Sequence, residues 1–408
     1  MSNTPVRRRW AAMLLGSLVT FGAAHAATGP AWTGTWSASP DSTAPSLAGQ
    51  SVREIIRSST GGTQMRLHVS NRLGTGPLTL GPVHVALHAK GDAIVPGSDH
   101  LVMFGGKTTV TLVQGADATS DSLAFAVAPL QELAVSLYVD SGGATTTHGV
   151  ANAVSFLANG DATTAVTFPT QERAGSRFFL TDVDVSGGKP GYAIAAIGDS
   201  ITDGVGSTPD TNARWTDALA ERLQHAPGMA SVGVIDAGIA GNRVLHDEHL
   251  PFIGPSALSR FERDVLDKSG VRYVVLLEGI NDISGSSYFP GTPDDVSAPQ
   301  IIEGMKSLIA RAHARHVKII GATLLPFDGL EWPFHSADGE TRRQAVNAWI
   351  RQSHAFDGVV DLDQALRDPD HPQRLLAAYD SGDHLHPNDA GHKAIAATFD
   401  IKALFATP

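Results

Sequence analysis

Gly198-Asp199-Ser200 sets a hydroxyl directly after the apolar run Tyr192–Ile197, and Asp383 and His386 lie three residues apart on a turn-prone segment before Pro387. A serine hydroxyl is a weak nucleophile. It needs a histidine to take its proton and a carboxylate to orient the imidazole. At this spacing the Asp383 carboxylate can fold back onto the His386 Nδ1–H, leaving Nε2 for Ser200. Acyl transfer also builds an oxyanion, and each preorganised donor aimed at it lowers the barrier by roughly 3–4 kcal/mol. Three donors are available in principle. They are the Ser200 N–H, a glycine N–H in the segment Asp236-Ala237-Gly238-Ile239-Ala240-Gly241-Asn242-Arg243, and the Asn281 amide in Glu278-Gly279-Ile280-Asn281-Asp282. Glycine suits that place because, without a Cβ, its backbone can approach the substrate closely.

Other polar residues invite competing readings. His384 is the rival to His386 as base, and reads instead as an exposed or packed neighbour. Asp199 is expected to satisfy backbone donors around the turn rather than to take part in chemistry. His246-Asp247-Glu248-His249 lacks the His-Glu-x-x-His spacing and an obvious third ligand, so it reads as a solvated loop and no metal is expected. No Gly-x-Gly-x-x-Gly or phosphate-loop pattern occurs, so no nucleotide cofactor is implied. The absence of Gly-x-Ser-x-Gly counts against an α/β-hydrolase elbow. Trp332, Pro333 and Phe334 could line an acyl pocket, stack on a sugar ring or simply pack a loop.

The segments that must hold these residues change character midway. From about Trp32 to Val185, apolar residues alternate with polar ones: Met65, Leu67 and Val69; Val83, Val85 and Leu87; Leu123, Phe125 and Val127; Leu133, Val135, Leu137 and Val139. That period means one buried face per strand and suggests an antiparallel sandwich over residues 28–186, with Gly61-Gly62 as a hairpin turn. After Ser186-Gly187-Gly188, short apolar runs alternate with helical patterns through residues 190–408. Candidate strands are Tyr192–Ile197, Val232–Ile235, Tyr273–Leu277, Val317–Leu325 and Val359–Val360. Trp215, Ala218, Leu219 and Leu223 share one helix face, as do Ile301, Ile302, Met305, Leu308, Ile309 and Ala312. Strands alternating with helices imply right-handed crossovers and a parallel sheet, which binds ligands at the carboxyl ends of its strands. Ser200 and two of the candidate donor segments follow such strands directly. Asp383 and His386 follow the last one after a helical patch.

At 408 residues, two domains are the natural expectation. The formal charge of −11, with no basic cluster beyond the N-terminus, argues against nucleic acid or anionic membrane as partner. The lack of cysteine excludes disulfides, thiolate metal sites and a cysteine nucleophile. Arg7, Arg8 and Arg9, the apolar run Trp10–Ala23 and Ala24-His25-Ala26 form a secretory signal over residues 1–26, with cleavage expected after Ala26. Its removal takes the formal charge from −11 to −14, since it carries three arginines and no acid. The run is too short for a stable membrane anchor.

Four segments, in order, resemble the conserved blocks of the SGNH (GDSL-type) hydrolases: Gly-Asp-Ser, a Gly block, Gly-x-Asn-Asp and Asp-x-x-His-Pro. The resemblance covers roughly residues 192–404. The first block reads Ser-Ile rather than the literal Ser-Leu. The family implies a flavodoxin-like three-layer α/β fold, with Ser200 as nucleophile, His386 as base and Asp383 orienting it. It also implies an oxyanion hole of Ser200, Gly241 and Asn281, where alignment with the Gly block favours Gly241 over Gly238. A looser resemblance links the β half plus catalytic half to arylesterases and polysaccharide acetyl esterases. The chain is therefore expected to be an exported, cofactor-free serine esterase of short acyl esters, with acetylated carbohydrate as the leading substrate. Arylesterase or short-chain lipase activity is the near rival, and a carbohydrate-binding protein on a hydrolase-like scaffold the distant one.

Overall fold

The computed structural model describes residues 1–2, 31–189, 191–247, 253–330 and 334–405. The expected signal, with Arg7, Arg8, Arg9 and Ala26, lies outside the described residues apart from its first two; Glu248, His249, Trp332 and Pro333 lie outside them too.

Five parallel strands form the centre of the second half, in the spatial order Gly233–Gly238, Ala193–Gly198, Val271–Leu277, Lys318–Ala322 and Gly358–Val360. This is the 2-1-3-4-5 order of flavodoxin-like sheets, whose winding reverses beside the first strand and opens a crevice at its carboxyl end. Alternation along Ala193–Gly198 sends Ala195 and Ile197 to one face and Ile194 and Ala196 to the other, and all four are fully buried. The first face packs on Ile301, Met305, Leu308 and Ala312 of the Ala298–Ala314 helix. The second packs on Trp215, Leu219 and Leu223 of Trp215–His225, with Ile395 and Phe399 beyond. Burying each such Leu or Ile contributes about 1.5–3 kcal/mol, which fixes both helix layers against the sheet.

The first half is built on two facing antiparallel sheets, with a small third sheet of Arg177–Phe178, Thr145–His148 and Ser42–Ala44. One is eight-stranded and centred on Gln50–Arg57, Glu132–Ser141 and Leu78–Lys90; the other holds Thr33–Ser37, Leu180–Ser186, Gln64–Ser70 and Asp117–Thr119. Met65, Leu67, Val69, Val83, Val85, Leu133, Val135, Leu137 and Val139 form the core between them, as their alternation predicts.

Three local expectations change. Gly61-Gly62 is not a hairpin turn, because Gln50–Arg57 and Gln64–Ser70 lie in different sheets. The two glycines instead allow close backbone approach: a Cβ on Gly61 would collide with Val127 O, and one on Gly62 with Ser186 O. Leu123–Val127 is no regular strand, although Phe125 and Val127 are buried as expected. It bridges at Met65↔Leu123 and Gly62↔Val127, so one extra residue bulges between the two contacts and interrupts the ladder. The Val317–Leu325 run leaves the sheet after Ala322, where Leu324 N–H donates to Asn347 Oδ1 (2.7 Å) and Leu324 O accepts from Arg343 and Asn347.

The β half covers the open edge of the parallel sheet. Val234 N–H donates to Ser59 Oγ (2.8 Å), Ser37 Oγ donates to Asp236 O (2.6 Å), and Gly34 N–H donates to Ser269 O (2.8 Å). An exposed edge strand invites pairing with other chains, and this one is closed from within.

Candidate active site

Ser200 opens a short helix, Ser200–Asp203, directly at the carboxyl end of Ala193–Gly198. Asp199 caps it, its Oδ1 accepting the Ile201 N–H at 2.9 Å. Gly198 allows the tight exit, since a Cβ there would collide with Leu277 O. Asp199 is buried, and that burial raises its carboxyl above the ordinary range.

His386 comes from the far end of the chain and meets the serine directly: Ser200 Oγ lies 2.8 Å from His386 Nε2. Asp383 Oδ2 lies 2.6 Å from His386 Nδ1, while its Oδ1 accepts the backbone N–H of Leu385 (2.9 Å) and of His386 (2.8 Å). A carboxylate can only accept here, so Nδ1 carries the proton and Nε2 presents its lone pair to the serine hydroxyl. Partial burial would raise the Asp383 carboxyl, but the bonds from the His386 ring and backbone outweigh it and hold the group well below the usual range. The asparagine after Pro387 then caps the next helix, with Asn388 Oδ1 accepting the Gly391 N–H at 3.0 Å. His384, the rival base, pairs elsewhere: its Nδ1 lies 2.6 Å from Asp380 Oδ2.

The two candidate glycines differ sharply. Gly238 N–H is committed to Asp236 Oδ1 (2.8 Å), and its bare Cα packs on the Ser200–Asp203 turn, where a Cβ would collide with Asp203 N. Gly241 has φ +78°, a conformation that disfavours any side chain. Neither its N–H nor that of Ser200 has an acceptor among the described residues. Asn281 begins the Ile280–Tyr288 helix and donates to Asn242 O at 3.0 Å, which ties its amide to the Gly241 segment and leaves its second N–H for another acceptor.

Several organising residues lie outside the predicted site set, and Arg260 among them carries no sequence signal. Arg260 is fully buried and donates to Gly198 O (3.1 Å), Ala237 O (2.6 Å) and Asn242 Oδ1 (3.0 Å), clasping the ends of two strands. Asp282 accepts from Val244 N–H (2.7 Å) and Leu245 N–H (3.1 Å), and burial pushes its carboxyl up to about 6. Glu278 lies 3.9 Å from Arg260; burial and the neighbouring Asp199 push it well above its ordinary value and favour its neutral form. Asp282 closes the Gly-x-Asn-Asp block and Asn242 follows Gly241, so membership of the donor segments is the clue to both.

Asp247 holds Ser256 N–H and Ser259 Oγ (both 2.7 Å) at the start of a helix. Among the described residues no cluster of three His, Asp or Glu is placed to hold a metal ion. Phe334 stacks on Tyr288 at 4.7 Å between ring centroids, and Tyr288 and Phe289 are exposed.

Residues 196–394 match the model of the GDSL-like lipase/acylhydrolase family. No curated protein matches the chain. Among solved structures, an acetylxylan esterase from Geobacillus stearothermophilus is similar at 22% identity and TM-score 0.40, over 54% of this chain and 98% of that one. A GDSL-like lipase from Bacteroides thetaiotaomicron is similar at 19% identity and TM-score 0.39, over 52% of this chain and 87% of that one.

Proposed function

We propose that the chain, whose residues 196–394 match the model of the GDSL-like lipase/acylhydrolase family, is a carboxylic-ester hydrolase of that kind with Ser200 as its nucleophile. The observation that carries this reading is the unbroken chain from Asp383 Oδ2 through the His386 ring to Ser200 Oγ, at 2.6 and 2.8 Å. Ser200 Oγ attacks the ester carbonyl while His386 Nε2 takes its proton, and the imidazolium that forms is stabilised by Asp383. The oxyanion is received by the N–H groups of Ser200 and Gly241 and the second Asn281 N–H. Collapse breaks the ester C–O bond as His386 protonates the departing alcohol. Water, deprotonated by the same nitrogen, then releases the acid and restores the serine. Ser200→Ala is expected to lose hydrolysis of p-nitrophenyl acetate; wild-type turnover in that variant would sink the mechanism.

The finer reading is an exported enzyme that removes short acyl groups, above all acetyl, from carbohydrate. Tyr288 sits seven residues beyond Asn281 on one helix, a rise of about 10 Å, so the Tyr288, Phe289 and Phe334 rings can offer a stacking surface within a sugar unit or two of the scissile bond. The expected signal at residues 1–26 supports export. Acetate release from acetyl xylan, set against a p-nitrophenyl series of increasing chain length, tests the substrate. Turnover that rises with chain length and neglects acetyl sugars would favour the lipase reading. N-terminal sequencing of exported protein tests the route, with Ala27 as the expected first residue.

A further inference from the structure

Two of the donors above sit on different segments, Ser200 after one strand and Gly241 after the next, and they must converge on one oxygen. Asp203 is what ties those segments together. It closes the Ser200–Asp203 helix, and its Oδ2 accepts the N–H of Ala240 (3.0 Å), the residue before Gly241. Its own carbonyl accepts from Arg214 Nε (2.9 Å). The other carboxylate oxygen is held from outside the catalytic half: Asp203 Oδ1 lies 2.9 Å from Nε2 of His148, the last residue of the Thr145–His148 strand.

His148 and Asp203 are both buried. The His148 Nδ1–H donates to Ser39 O (2.9 Å), with Asp41 Oδ2 at 3.3 Å. A carbonyl accepts at one ring nitrogen and a carboxylate at the other, so the ring carries both protons and is a buried cation between Asp203 and Asp41. Burial alone would lower its pKa, but the two carboxylates outweigh that and raise it well above its ordinary value. The neighbouring β-half residues grip the same turn. Asn152 Nδ2 donates to Gly204 O (3.0 Å) and Ser207 Oγ (2.5 Å), and Ala151 O accepts from Arg214.

We propose that His148 is a positioning residue for ester hydrolysis: by holding Asp203 it sets the spacing between the Ser200 turn and the Gly241 segment, so the β half completes the oxyanion-binding geometry. The proposal rests on the roles given above to Ser200 and Gly241. Without His148, the Asp203 carboxylate is left in a buried site lacking a donor on Oδ1. The carboxylate then turns towards another donor, which loosens Ala240 and with it the Gly241 N–H. The oxyanion exists only after attack, so the loss falls on kcat rather than on KM.

His148→Leu, Asp203→Ala and the double variant test this on p-nitrophenyl acetate. Active-site titration with an organophosphate scales kcat to competent molecules, so partial unfolding cannot mimic the effect. The expected result is a fall in kcat of roughly ten- to a hundredfold in each single variant, the cost of sub-ångström misplacement, with KM within about twofold. The double variant should be no worse than the worse single one, because both break the same contact. Folded His148→Leu with kcat within about twofold of wild type, or losses that multiply in the double variant, overturns the proposal. If His148→Leu yields no folded protein, Asp203→Ala carries the test alone, and unchanged kcat there is equally decisive. Ser200→Ala runs beside them. Activity retained in Ser200→Ala would instead refute the nucleophile assignment, so the two failures are distinguishable.

Discussion

Replacing Asp383 by asparagine keeps the shape of the site and changes one property, the state of the His386 ring. The oxygen of the new amide can still accept the Leu385 and His386 N–H groups, which lie 2.9 and 2.8 Å from Asp383 Oδ1. Its NH₂ then faces Nδ1 where the carboxylate stood at 2.6 Å. An NH₂ group cannot accept, so the ring must turn its lone pair to Nδ1 and its proton to Nε2, the wrong tautomer for Ser200. Two losses combine. The charge-assisted hydrogen bond is worth about 1.5–3 kcal/mol. The attraction between carboxylate and imidazolium is worth about 4 kcal/mol at an effective dielectric of 20. Because the Asp383 side chain is 45% exposed, roughly half of that attraction survives screening by solvent. The sum, about 4 kcal/mol, corresponds to a fall in kcat of about 10³-fold. Initial rates on p-nitrophenyl acetate, with the thermal midpoint measured alongside, decide the matter. A folded Asp383→Asn variant within about tenfold of wild type would refute the orienting role.

Gly241→Ala should lower kcat more than tenfold and Tm by about 2–4 °C, since φ is +78° and the new Cβ would stand 3.2 Å from Ile253. Calorimetry and initial rates check both. His384→Ala should leave kcat within about threefold, because that ring serves Asp380; a loss of the size expected for His386 would reverse the assignment. Glu54 is buried in the β half, and burial pushes its carboxyl up to about 7 despite Arg177 and the Phe178 N–H. Below its unfolded value near 4.5 the group is neutral in both states and costs nothing. As pH rises from there towards 7, the unfolded chain ionises more readily and stability falls. Wild-type Tm should therefore drop between pH 5 and 8 more than that of Glu54→Gln, and parallel slopes would contradict this.

The sequence made the two halves and the candidate site residues legible for different reasons. Alternation in Met65–Val69 and Leu133–Val139 reports burial faithfully, because a strand's side chains have nowhere else to point. It cannot say which sheet a strand joins, which is why Gly61-Gly62 read as a hairpin while serving as a corner between sheets. Ser200, Asp383, His386 and Asn281 stood out because each sits in a short block whose residue types have few other uses together. Gly241 was separated from Gly238 only by alignment to the family's pattern; the structure adds the physical difference, positive φ and an N–H with no acceptor among the described residues. Asp203, His148 and Arg260 were invisible. Their partners lie 37, 55 and 62 residues away, respectively, and isolated Asp, His and Arg side chains carry no period or motif.

The central claim is that one serine hydroxyl forms and breaks the covalent bond. Treating the protein with a slight excess of an organophosphate and mapping the adduct by peptide mass spectrometry tests it most directly. One phosphoryl group per chain is expected, on Ser200, with activity lost in proportion to its incorporation, and no adduct in Ser200→Ala. Inactivation with the adduct on another residue, or full labelling of Ser200 with activity intact, would contradict it.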